Sequence, residues 1–142
     1  MIALGAVLAL WAGFAATVTA PPDRSDYRRT AVQAAESARD AAGTGALVAR
    51  TQLDGDVFGT FVDTAYDDAA GTVAGAAKQI AEQLPPDDAS AQLRDEVLPL
   101  VQEAVRALGD ASRAATAGAL RSALAALDDV AGKLADIVDR YG

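Results

Sequence analysis

The side chains that carry most covalent and metal chemistry are missing from this chain, which has no histidine and no cysteine. Nucleophile–base pairs built on imidazole or thiolate cannot be assembled, and neither can imidazole or thiolate metal sites. A di-metal centre in a helical bundle needs Glu-x-x-His motifs, and the sequence contains none. Carboxylate chemistry is what remains. The glutamates Glu36, Glu82, Glu96 and Glu103 are spread over several segments, beside positions that read as helix surface. Asp54-Gly55-Asp56 could offer oxygen ligands to calcium, but the rest of a calcium loop is absent and the tripeptide reads as a turn. Asp67-Asp68, Asp87-Asp88 and Asp128-Asp129 read as helix caps and solvated faces. The glycines form no phosphate loop. No residue is assigned a catalytic, cofactor-binding or metal-binding role, and the chain is expected to be neither an enzyme nor a cofactor carrier.

One candidate binding feature survives. Phe58, Phe61 and Tyr66 lie close together in a chain of otherwise small side chains, and could line a pocket for a small apolar or aromatic ligand. Aromatics at helical spacing are more often plain core, and here they would fill space opposite alanine.

The elements that hold these residues are helices. Alanine, the strongest helix former, dominates the composition, and no run alternates as a half-buried strand would. The expected fold class is all-α: an N-terminal hydrophobic helix, transmembrane or signal, followed by an antiparallel helical bundle of three to four helices. Two parts are expected, a membrane segment over 1–22 and a bundle over 23–142.

Residues 1–22 carry no charged side chain, and Ile2–Ala20 is apolar but for its threonines. As a helix this stretch would run roughly 30 Å, the thickness of a bilayer's hydrocarbon core. It reads as a membrane anchor rather than a cleaved signal. A basic n-region is lacking, and Pro21 follows the best cleavage site, Val18-Thr19-Ala20. Arg24, Arg28 and Arg29 just beyond it argue for a cytoplasmic bundle under the positive-inside rule. Similarity to short bacterial N-terminal anchors argues narrowly for the opposite side. Gly5, Ala9, Gly13 and Thr17 share one helix face, a spacing that lets two membrane helices approach closely, although an Ala/Gly-rich segment also produces it by chance.

Pro21-Pro22 separates this segment from a second helix, capped by Ser25 or Asp26 and running to about Leu53. Its seam is Ala31, Ala35, Ala38, Ala42, Gly45 and Ala49, with a bend expected near Gly43 and Gly45. A third helix carries the stripe Phe58, Phe61, Val62, Ala65, Tyr66, Ala69, Val73, Ala77, Ile80 and Leu84, ended by Pro85-Pro86. A fourth covers about Ala89 to Leu108 with Pro99 inside it, and faces Leu93, Val97, Leu100, Val101, Val105 and Leu108 inward. Beyond Gly109-Asp110, where a break and a merger are both open, Leu120, Leu124, Leu127, Ala131, Leu134, Val138 and Tyr141 step by four and three as a coiled-coil-like seam. Asp129–Lys133 and Asp136–Arg140 are expected as exposed ion pairs.

Trp11-Ala12-Gly13 resembles the W-x-G of small helical-hairpin proteins exported by the type VII system. That motif should lie at a turn between helices, whereas here it lies inside the hydrophobic segment. Neither Tyr27 nor Tyr66 is followed by an acid four residues on, so the chain is not assigned to that family.

A net charge of −8 argues against nucleic acid, which needs a positive footprint. The excess of arginine over lysine and the richness in Ala and Gly read as coding bias of a GC-rich bacterial genome. The expected function is a non-catalytic, membrane-tethered bundle acting through protein contacts, as an accessory or scaffold. It would hold the membrane through residues 2–20, with the bundle on the extracytoplasmic side. The low aromatic content, 5%, limits what the bundle can bury alone, so self-association or packing on a partner is expected. The alternatives are a ligand-sensing bundle resembling the four-helix input domains of bacterial receptors, and a secreted helical protein.

Overall fold

The computed structural model describes residues 23–55 and 59–142. Among them the chain is all-helical, with four helices and no strand: α1 (Arg24–Leu53), α2 (Gly59–Glu82), α3 (Asp88–Arg113) and α4 (Ala117–Tyr141). They pack as a helical bundle. The hydrophobic segment 1–22, with its Trp11 motif and small-residue face, lies outside the described residues, and so does Phe58.

The caps follow local chemistry. Asp23, rather than Ser25 or Asp26, caps α1: its Oδ1 accepts the Asp26 N–H at 2.8 Å, and Ser25 Oγ donates to the same oxygen at 2.7 Å. Asp87 caps α3 by accepting the Ser90 N–H at 2.8 Å. The Ser90 amide and then the Arg24 guanidinium hold the Asp87 carboxyl down to about 2. Asp54 ends α1, and Gly55 follows with φ of +82°, a left-handed conformation suited to glycine.

Packing is not symmetric. α1 and α3 touch each other along a diagonal, while α2 and α4 lie on opposite sides of that pair and do not meet. The alanine seam of α1 explains the diagonal. Ala31, Ala35, Ala38, Ala42, Gly45 and Ala49 are all buried, so a third helix can come close. At Gly45 the approach leaves no room for a Cβ. Such an atom would collide with a Leu108 methyl and lie 3.4 Å from Leu127 Cδ1. α1 runs unbroken through Gly43 and Gly45. Gly43 faces open solvent, whereas Gly45 is required by the fit.

α3 also runs unbroken through Gly109 to Arg113. Leu108 and Ala111 on either side of the glycine are buried, and their burial outweighs its helix penalty of about 1 kcal/mol. The chain breaks instead at Ala114-Ala115, where Thr116 caps α4 by accepting the Ala119 N–H at 3.1 Å. α3 and α4 therefore do not merge. Pro99 sits inside α3 on its exposed side.

The buried line of α4 is Leu120, Ala123, Leu127, Val130, Leu134 and Ile137. Leu124, Ala131, Val138 and Tyr141, taken from the sequence as seam residues, are half-buried and flank that line. In α3, Leu100 and Val105 are likewise flanking, and Ala104, Ala107 and Ala111 take the inner places. The phase moves because alanines fit a bundle interior as well as leucines do when a partner helix comes close. Lys133 pairs with Asp129 at 2.7 Å as expected, but Arg140 reaches Glu96 on α3 at 2.8 Å rather than Asp136.

Candidate functional site

The aromatic stripe of α2 divides at its first turns. Tyr66 is fully buried, its hydroxyl reaching Gln52 Oε1 on α1 at 3.4 Å, and burial pushes its pKa up. Phe61, five residues earlier and so well round the helix, is 62% exposed. The two cannot line one closed ligand pocket. Leu84, at the far end of the same stripe, is 79% exposed because α2 ends at Glu82, before the helix would carry it inward.

The other sequence candidates scatter. Glu36 and Glu82 are exposed, and Glu103 is half-buried on α3. Glu96 accepts from Arg140 and, at 3.0 Å, from the Tyr141 hydroxyl, a tie between α3 and α4. Asp54 serves as a helix cap, and Asp56 lies outside the described residues. Among the described residues no group of three or more acidic side chains is placed to hold a metal ion. Tyr27 is buried with no hydrogen-bond partner for its hydroxyl among the described residues, and burial raises its pKa.

What the fold does assemble is a surface feature. Tyr66 near the start of α2 reaches Gln52 at the end of α1, so the two helices run in opposite directions along their contact. Between them lies an open groove of about 490 Å³, lined by Ser37, Asp40, Ala41 and Thr44 of α1 and Ala65, Asp68, Ala69 and Thr72 of α2. Its walls are small side chains, which bring the surface close to the two backbones. One helical turn beyond Thr44 on the same side of α1 stands Leu47, 63% exposed. One turn before Ala65 on the same side of α2 stands Phe61. The helical register thus sets Leu47 and Phe61, two of the three large exposed apolar side chains among the described residues, at one end of one groove. Phe61 belongs to the apolar stripe expected to face inward, and Leu47 stands outside every expected seam. The signal that would have found them is the 3–4 stepping Ser37, Asp40, Thr44, Leu47 on α1, a second stripe off the buried seam.

Asp40 and Asp68 line this face, and Asp54 stands two turns beyond Leu47 on the same side of α1. Glu36 lies instead in a second groove, with Arg28, Arg29 and Tyr141, on the α4 side of α1. The nearby guanidiniums are engaged, Arg39 with Asp40 at 3.0 Å and Arg50 with both oxygens of Asp128 at 2.7 Å.

No described helix is long and apolar enough to cross a membrane. Comparison with models of known protein families, with curated proteins and with solved structures finds no match to this chain.

Proposed function

We propose that this protein is a membrane-tethered helical bundle that works through protein contacts, as an accessory or scaffold subunit without catalysis of its own. In this reading residues 2–20 are a bilayer-spanning helix, and residues 23–142 are an up-and-down antiparallel bundle standing on the extracytoplasmic side. The tether is supported by an uncharged apolar stretch that would span roughly 30 Å as a helix. The antiparallel course is supported by the cross-ties Tyr66–Gln52, Arg50–Asp128 and Arg140–Glu96. The observation that carries the contact function is the placing of Leu47 and Phe61, more than half exposed, at one end of the α1/α2 groove. Large apolar side chains grouped at a surface mark contact sites.

The test of the tether is fractionation of a C-terminally tagged chain. Signal in carbonate-washed membranes is expected, with the tag degraded by external protease in intact spheroplasts. Tag in the culture supernatant would overturn the anchor in favour of a secreted bundle, and a protected tag would reverse the orientation.

A further inference from the structure

Resting on that reading, we infer that the α1/α2 face docks a basic amphipathic helix of a partner protein. A groove between two helices, floored by Ala41, Ala65 and Ala69 and edged by Ser37, Thr44 and Thr72, admits a third helix at close range. Leu47 and Phe61 supply the apolar anchor at one end, where an incoming helix would bury them with leucine-sized side chains at i, i+3, i+4 spacing. The carboxylates of Asp54 and Asp68 border the stripe and form no ion pair among the described residues. Lysines or arginines on the flanks of the docked helix would meet them.

The charge selects among occupants. A second copy of this chain, at a net charge of −8, would bring like charge to an already acidic face. Residues 1–22 carry no charged side chain and gain nothing from the carboxylates. A basic partner helix satisfies both the apolar anchor and the acidic border.

The experiment uses the full chain in detergent micelles and three fluorescent synthetic helices of about 18 residues with one leucine pattern. Their polar positions are filled with lysine, glutamate or glutamine. The lysine peptide should bind, and raising salt from low to physiological strength should weaken it. Leu47→Ser and Phe61→Ser should each reduce its affinity by about tenfold, and Asp54→Asn with Asp68→Asn by a similar factor. Asp136→Asn with Asp139→Asn on exposed α4 should change nothing, and circular dichroism melting confirms that each variant folds.

Binding of all three peptides, lost with Leu47→Ser and Phe61→Ser, would overturn the basic partner while leaving the face as a contact site. Lysine-peptide binding that ignores Leu47 and Phe61 but falls with any carboxylate removed would mean nonspecific charge attraction, and would overturn the inference. Binding of none would overturn the docking face together with the contact reading. Dimers cross-linked through cysteine placed at Phe61 would assign the face to a second copy and overturn it as well.

Discussion

α2 and α4 occupy equivalent places, one on each side of the α1/α3 pair, yet they are held very differently. α4 buries Leu120, Leu127, Leu134 and Ile137, and is tied to its neighbours by Arg50–Asp128, Arg140–Glu96 and the Tyr141–Glu96 hydrogen bond. α2 buries Val62, Tyr66, Val73 and Ile80, and its one side-chain tie to another helix among the described residues is the long Tyr66–Gln52 contact. Exposed ion pairs contribute at most about 1 kcal/mol each, so the apolar side chains decide the difference. α2 also carries Gly71 and Gly75 in its middle, both facing open space, each costing about 1 kcal/mol against alanine. Open grooves run along both helices, but the one beside the less firmly held α2 is the one that ends at Leu47 and Phe61. A surface that receives a partner does not need to be the most stable part of the molecule, and binding there can supply what packing leaves out.

The largest expected effect sharpens that contrast from the α4 side. Leu127 is fully buried and packs over Gly45, so Leu127→Ala should lower unfolding free energy by about 3–5 kcal/mol in urea titrations. Val73→Ala, at an equally buried site on α2, should cost only about 1–2 kcal/mol, because the methyl groups removed are fewer.

Next come the glycines. Gly45→Ala places a methyl against Leu108, which is fully buried and cannot swing to solvent, so overpacking should outweigh the helix gain by about 1 kcal/mol. Gly71→Ala and Gly75→Ala meet nothing within 4 Å and should each stabilise by about 0.5–1 kcal/mol. Thermal melts of the three variants, opposite in sign, check this directly.

The smallest effect is acid dependence at the end of the bundle where α1 and α3 begin. The Asp87 carboxyl titrates at about 2 in the folded chain against an ordinary 3.8. Its contribution is therefore complete above the ordinary value and is lost as pH falls from about 4 towards about 2. Asp87→Asn keeps a capping oxygen but removes the charge, and should flatten that limb of a stability–pH curve.

Much of this was legible from residue order. The all-helical class, the α1 seam, a cap at Asp87 or Asp88 and a break around Pro85-Pro86 follow from propensity, period and capping chemistry; the structure uses Asp87 and ends α2 at Glu82. The phase of α4 and the position of its start were not. Period alone cannot choose between Leu124 and Ala123 for an inner place, because that choice depends on how near the neighbouring helix comes. Residue order leaves both a break and a continuation open at Gly109; the burial of Leu108 and Ala111 carries α3 through it, and Thr116 caps the next helix. The surface groove was the least legible feature. Phe61 belongs to the same apolar run as Val62 and Tyr66, and only the packing of α2 against α1 shows which of them is turned outward.

The most direct test of the account is hydrogen exchange of the full chain in micelles, with and without the lysine-bearing helix. Amides of α2 around Asp67–Gly75 should be less protected than those of α4 around Ala123–Lys133, and the peptide should raise protection in α2 and the facing stretch of α1 while leaving α4 unchanged. Equal protection of the two helices in the free protein, or protection gained on α4 instead, would contradict it.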